Sequence, residues 1–303
     1  MNVLVSGSSG LIGSALVSLL EERKHRVIRL VRTSPPNGSG AIAWDPVAGT
    51  VEKTRLEGMD AVVHLAGENI ATRRWTKSRK ARIWDSRVKG THHLCRALAQ
   101  LSHPPRVLIS ASAVGYYGNR GDEILDESSA SGSGFLAELC RYWEAATRPA
   151  AEVGVRVVLL RFGVVFSPAG GALAKMLPPF RLGLGGVIGS GNQFCSWIAI
   201  EDAVEIIRQA IEDERFQGPV NAVSPHPVTN RELTKTLGRL LHRPTICPLP
   251  AFVARAAFGK LADELLLAGA RVRPAYLQKM GFPFRYPDLE SALRRHLAGR
   301  ISP

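Results

Sequence analysis

The chain starts with a short apolar run, Val3-Leu4-Val5, which passes through Ser6-Gly7-Ser8-Ser9-Gly10-Leu11-Ile12-Gly13 into Ala15-Leu16-Val17-Ser18-Leu19-Leu20, where apolar positions recur at helical spacing. This reads as a buried strand, a glycine-rich turn and an amphipathic helix over residues 11–23. The pairing repeats along the chain. Strand candidates lie at residues 3–6, 26–31, 61–65, 106–110, 156–161 and 220–223, with helix-period stretches between most of them, such as 86–101 and 135–147. Strands alternating with helices predict an α/β fold: a doubly wound parallel sheet with helices on both faces. Such sheets take their ligands at the carboxyl ends of the strands.

The pattern changes after Phe166. Residues 178–191 are rich in Gly and Pro, as a mobile loop over a site would be, and residues 225–303 read as short helices with a Gly281-Phe282-Pro283-Phe284 turn. We therefore expect a nucleotide-binding domain over 1–223, with 166–197 supplying a loop to the substrate site, and a smaller C-terminal substrate domain over 224–303. Residues 34–40, Ser-Pro-Pro-Asn-Gly-Ser-Gly, read as a loop.

The first turn carries the clearest chemistry. Gly7, Gly10 and Gly13 follow a strand and open a helix, in GxxGxxG spacing, one residue longer in the first interval than GxGxxG. Glycines let the backbone turn tightly and approach a pyrophosphate, while the free N–H groups of the helix face the anion. Gly7, Ser9, Gly10, Leu11 and Ile12 are thus candidate cofactor contacts. A Gly-rich stretch is by itself often only a turn, and the strand-before, helix-after context is what makes this one a binding turn.

Composition narrows the partners. The 303 residues are 45% hydrophobic and 21% charged, enough for one large core or two modest ones. No apolar run approaches the roughly 18 residues of a membrane span, so a soluble protein with no membrane partner is expected. The first strand starts at Asn2, leaving no room for a leader ahead of it, and the cytoplasm is the expected location. Cys95, Cys140, Cys195 and Cys247 lack CxxC spacing, which argues against zinc and a disulfide framework and for buried, reduced thiols; no metal site is expected. The net charge of +13 concentrates in Arg73, Arg74, Lys77, Arg79, Lys80, Arg82, Arg87 and Lys89, with Asp85 the one acid among them. That cluster is either a solvated helix face or partly turned toward a phosphate-bearing ligand. Nothing resembling a nucleic-acid-binding motif accompanies it, so nucleic acid is not an expected partner.

At the end of the second strand a Rossmann enzyme preferring NAD places an acid on the ribose 2′-hydroxyl, whereas this chain has Val31-Arg32-Thr33-Ser34. A guanidinium with no carboxylate beside it favours NADP(H), through a charge-assisted bond worth about 1.5–3 kcal/mol. The plain alternative is a surface arginine at a strand end.

Taken together, Gly7-xx-Gly10-xx-Gly13, His64-Leu65-Ala66-Gly67, Ser110-Ala111-Ser112-Ala113-Val114-Gly115-Tyr116-Tyr117-Gly118 and Ile198-Ala199-Ile200-Glu201-Asp202 resemble the extended short-chain dehydrogenase/reductases, best known as sugar-nucleotide epimerases and dehydratases. Trp44-Asp45-Pro46, Ala66-Gly67-Glu68-Asn69-Ile70, residues 179–186, Gly189-Ser190-Gly191-Asn192-Gln193 and Gly281-Phe282 resemble more closely the epimerase family proteins, an atypical branch with its own C-terminal domain. The resemblance runs the whole length. It implies that Leu65, Ala66 and Gly67 border the adenosine and ribose, and that Arg87 faces the cofactor. Arg87 and Arg82 would then offer cations to the pyrophosphate or the 2′-phosphate.

Family members that transfer hydride use a Ser and a Tyr-xxx-Lys pair in which Lys lowers the pKa of the phenol. Ser112 matches the serine. Alignment through Glu144 puts Leu136 at the tyrosine and Cys140 at the lysine; an ungapped count from Ser112 reaches Ala137 instead, and neither register contains YxxxK. Leu136, Leu139, Cys140 and Trp143 recur at i, i+3, i+4 and i+7, so this helix face belongs to the core. Losing a general acid/base typically costs about 10²- to 10⁴-fold in rate. Tyr116 and Tyr117, just past Ser112, are candidate substitutes or else turn aromatics packing on the cap. Ser112 and Tyr116 are the candidate catalytic residues. Glu68 could act as a base or steady Asn69; His64 reads as a core histidine, Cys140 as a buried structural thiol and Asp202 as the cap of a helix over 203–211. Two function classes result: an NADP(H)-dependent epimerase-like oxidoreductase on a small polar substrate, or a non-catalytic NADP(H)-binding sensor or partner-binding protein.

Overall fold

A computed structural model describes residues 1–32, 40–71 and 74–298. Thr33, Ser34 and most of the expected 34–40 loop, Arg73 of the basic cluster and the last five residues lie outside the described residues. Eight strands form the central sheet: β1 Asn2–Ser6, β2 Arg26–Val31, β3 Ile42–Asp45, β4 Thr50–Val51, β5 Ala61–His64, β6 Val107–Ala113, β7 Arg156–Phe162 and β8 Gly218–Ala222. Their spatial order is β8-β7-β6-β5-β1-β2-β3-β4. All pair in parallel except β4, which runs antiparallel to β3. The fold class is the expected doubly wound Rossmann sheet.

Alternation within the strands builds both faces. Val3, Val5, Val63 and Ile109 pack on one side with helices α1 Leu11–Glu22 and Ile200–Glu212. Leu4, Val62 and Leu108 pack on the other with α2 Lys77–Leu98. Strands with both faces buried read as continuous apolar runs, which is why they stood out in the sequence. The chain winds outward from β1 through β2 to β3, then returns to β5 on the opposite side of β1. The carboxyl ends of β1 and β5 therefore form the topological switch point where such sheets bind ligands.

Four local expectations need correction. Strand β6 runs on to Ala113 because Ala111, Ser112 and Ala113 pair with Leu160, Arg161 and Phe162. Helix α2 starts at Lys77, where the Thr76 side chain accepts the Arg79 N–H, rather than at Ser86, and it carries the basic cluster from Lys77 to Lys89 with Arg74 ahead of it. Pro178 and Pro179 lie inside helix Gly171–Arg181, not in a loop. The loop proper, residues 182–191, is pinned to residues 243–250 by Cys247 N–H to Gly185 O at 3.3 Å and Leu249 N–H to Val187 O at 2.8 Å. Asp202 does not cap its helix, which starts at Ile200; its carboxylate instead accepts the Arg285 and Tyr286 amides at 2.8 and 3.0 Å, anchoring the C-terminal segment. That segment shares one apolar cluster with the preceding chain, in which Leu233, Leu237, Leu293 and Leu297 meet Phe166, Leu173 and Trp197.

Candidate functional site

The glycine turn is built as its chemistry requires. Gly7 has φ +68°, and a Cβ there would lie 2.8 Å from the Leu65 carbonyl carbon. A Cβ on Gly13 would lie 2.1 Å from the Gly7 oxygen. Only glycine lets strand, turn and helix approach this closely. Gly10 precedes α1 without a capping side chain, and the first turn of α1 carries no acid, so its amides are left to an anion. Gly7, Gly10, Leu11, Ile12, Gly13 and Leu65, with Ala111 and Val165, line a cavity of about 210 Å3. Ser9 is exposed on the turn.

The β5 side of the cavity is held by a buried polar chain. Ser6 Oγ accepts the Leu65 and Ala66 amides at 3.2 and 3.3 Å and lies 2.7 Å from His64 Nδ1. His64 Nε2 lies 3.1 Å from Thr91 Oγ1, which also accepts Trp143 Nε1–H at 3.0 Å. Burial pushes the His64 pKa down to about 4, so the ring is neutral and structural, as its place inside a strand implied. Arg87 donates to the Glu68 carbonyl at 2.8 Å, and its guanidinium carbon would lie 3.1 Å from a Cβ on Gly67. Burial lowers the Arg87 pKa to about 10, which leaves it cationic beside the β5 end. Arg32 is exposed at the end of β2, and among the described residues no carboxylate pairs with it. Arg82 is exposed on α2, next to the buried Ile83, and is not among the residues that line the cavity. Glu68 is held in an ion pair with the buried Arg79, which also bonds the Asn69 carbonyl, so it serves the 68–71 turn.

At the end of β6 the structure shows a network that motif reading missed. Ser112 Oγ–H donates to Glu144 Oε1 at 2.6 Å. The Glu144 carboxylate accepts both arms of Arg161, Nε and Nη2, at 2.8 Å each. Arg161 Nη1 reaches Tyr117 Oη at 3.0 Å, and Tyr117 donates to Asn221 Oδ1 at 2.8 Å. The Arg161 guanidinium also lies 3.6 Å from the Tyr116 ring centroid. Desolvation raises the Tyr117 pKa to about 12, so this phenol stays protonated inside the core. A charged residue closing the apolar run Val157-Val158-Leu159-Leu160-Arg161, and a glutamate next to the apolar stripe of Phe135–Ala145, were the available signals.

Helix Phe135–Ala145, here α3, buries Leu136, Leu139, Cys140 and Trp143 as the periodicity required. Leu136 and Cys140 pack under Gly115, where a Cβ would lie 3.3 Å from Leu136 Cβ. Burial pushes the Cys140 thiol up to about 12, which makes it inert as a nucleophile. Glu264 from the C-terminal region accepts the Phe135 and Leu136 amides at 3.1 and 2.9 Å, so the N-terminus of α3 is already filled. Of the other cysteines Cys95 is buried, but Cys195 is half-buried and Cys247 exposed, against the expectation that all would be buried.

A glycine turn without a capping side chain at the switch point of a parallel sheet, with Ser112 at the neighbouring strand end, defines a Rossmann protein of the short-chain dehydrogenase/reductase class. The family match specifies this further: the chain belongs to the NAD dependent epimerase/dehydratase family, whose model covers residues 3–223, and residues 249–295 match the Domain of unknown function (DUF1731). An epimerase family protein of Mycobacterium bovis is 49% identical over 96% of both chains. The human epimerase family protein SDR39U1 is 40% identical over 98% of this chain and 100% of its own. A crystal structure of human SDR39U1 (isoform2) with NADPH superposes with a TM-score of 0.91 at 38% identity, covering 99% of this chain and 100% of that one.

Proposed function

We propose that this chain binds NADP(H) at the β1/β5 switch point and acts as an atypical, epimerase-like oxidoreductase on a small polar substrate. The observation that carries the cofactor is the α1 N-terminus, open and without a capping side chain, over a cavity where Gly7 and Gly13 leave no room for a Cβ. Arg32 supports the 2′-phosphate form, Leu65, Ala66, Gly67 and Arg87 supply the adenosine-ribose side, and Arg82 is a peripheral cation. The relative crystallised with NADPH supports the same reading. Bound NADP(H) supplies or accepts a hydride.

For the chemical step we assign Ser112 and Tyr116. Because the Ser112 proton is given to Glu144, its oxygen is left as an acceptor, which suits a substrate hydroxyl better than a carbonyl. The Tyr116 phenol, against the Arg161 cation, completes the pair. The C-terminal region and the 182–191 loop would hold the substrate. The apolar packing of Leu136 and Cys140 favours a second reading, a cofactor-holding protein without catalysis.

One set of measurements separates these. NADPH at 100 times its dissociation constant should stabilise the protein by about 2.7 kcal/mol, with NADH at matched subsaturating concentration doing less and R32A removing the difference. Equal stabilisation by the two cofactors would sink the NADP(H) preference. Oxidation of NADPH by a pool of metabolites, lost in S112A/Y116F, supports the enzyme; turnover retained in that variant refutes the assignment, and absence of turnover with tight binding supports the cofactor-holding reading.

A further inference from the structure

The outer surface of the C-terminal region is unusual in what it shows to solvent. Residues 182–189 and 243–251 run side by side in parallel, joined by the Leu249 backbone and by Arg243 Nε–H to Arg181 O at 2.9 Å. On this ribbon Leu182, Leu184 and Ile246 are 73%, 59% and 78% exposed, and Phe252, in the helix Ala251–Phe258 that continues it, is 73% exposed. That helix has the sequence AFVARAAF, yet only Ala254 is buried. Exposure this high means the side chains stand out from the surface rather than line a groove.

Within the ribbon and the helix that continues it, every Arg, Lys, Asp or Glu is a cation. Residues 181–191 and 241–262 contain Arg181, Arg243, Arg255 and Lys260 and no aspartate or glutamate. Arg255 is paired with Asp263, while among the described residues no carboxylate pairs with Arg181, Arg243 or Lys260. A second copy of this chain would bring cations against cations. The ribbon also carries Pro244, Pro248 and Pro250, which block pairing of a further strand along its edge. Projecting Leu, Ile and Phe set among cations are instead the pattern of an interfacial surface, in which apolar side chains enter the headgroup region and Arg and Lys meet anionic lipid.

We propose that the 182–189/243–258 surface docks this protein peripherally on an anionic lipid bilayer. No described helix is long and apolar enough to cross a membrane, and surface docking needs none. The proposal stands independently of the nucleotide site, which lies at the carboxyl ends of β1 and β5.

The test is sedimentation of the full chain with vesicles of phosphatidylcholine alone or with 30% phosphatidylglycerol. Binding to the anionic vesicles at least ten times stronger than to the neutral ones, weakened by salt, is expected. Because a chain of net charge +13 adsorbs to anionic surfaces in any case, the deciding variant is L182S/I246S/F252S, which keeps every charge. It should lose at least ten-fold in affinity while retaining its melting temperature and NADPH response. R181E/R243E, at the same surface, should lose as much, and R23E/R26E, at the amino end of β2, should lose far less. Equal binding by the serine variant, equal losses from the two charge reversals, or association of the wild type into a dimer that the serine variant abolishes would each overturn the proposal.

Discussion

Acidification should destabilise this protein through His64. The ring is fully buried between Ser6 and Thr91 with Trp44 edge-on at 5.8 Å, and burial holds its pKa at about 4 against an ordinary value of 6.5. A histidine depressed in the folded state contributes stability that is complete above pH 6.5 and is lost as pH falls toward 4, because below 6.5 the unfolded chain takes up a proton that the fold refuses. At about 1.36 kcal/mol per pH unit the full loss is roughly 3 kcal/mol, a large share of a typical stability of about 5–15 kcal/mol. The assay is urea unfolding between pH 7.5 and 4.5 for the wild type and H64Q, whose amide spans the same two hydroxyls but does not titrate. The difference between their unfolding free energies should change by about 1.4 kcal/mol per pH unit below 6.5. Parallel profiles for the two proteins would refute the reasoning.

Three other outcomes follow from named contacts. G13A places a Cβ 2.1 Å from the Gly7 oxygen, where backbone must move, so NADPH affinity measured by nicotinamide fluorescence should fall at least 100-fold. E144Q takes the carboxylate from a buried Arg161 and should cost about 3–5 kcal/mol in denaturant unfolding, more than E138Q on the exposed side of the same helix. D202A leaves the Arg285 and Tyr286 amides without their acceptor, costing about 1–3 kcal/mol and raising hydrogen exchange first in helix Leu289–Ala298.

The parallel sheet, its order of elements and the glycine turn were legible because each rests on local rules. A strand buried on both faces is apolar throughout, a helix repeats every 3.6 residues, and a backbone that must come within contact of Leu65 and turn back on Gly7 tolerates only glycine. Strands β3 and β4 escaped notice because they are short and flank a loop, leaving little periodicity to read. The helix through Pro178 was hidden by residues that usually break one.

The sequence by itself determined a nucleotide-binding α/β protein of the epimerase kind, with an arginine and no carboxylate at the end of the second strand and no Tyr-xxx-Lys pair behind Ser112. Tertiary structure decided what those residues do. It gave the Ser112 proton to Glu144, buried Arg161 against that carboxylate, turned Asp202 from a cap into an anchor and left Leu182, Leu184, Ile246 and Phe252 in solvent. Hydrogen-bond partners 17 to 84 residues apart and the exposure of single side chains depend on how distant segments pack, and no periodicity within one segment encodes that.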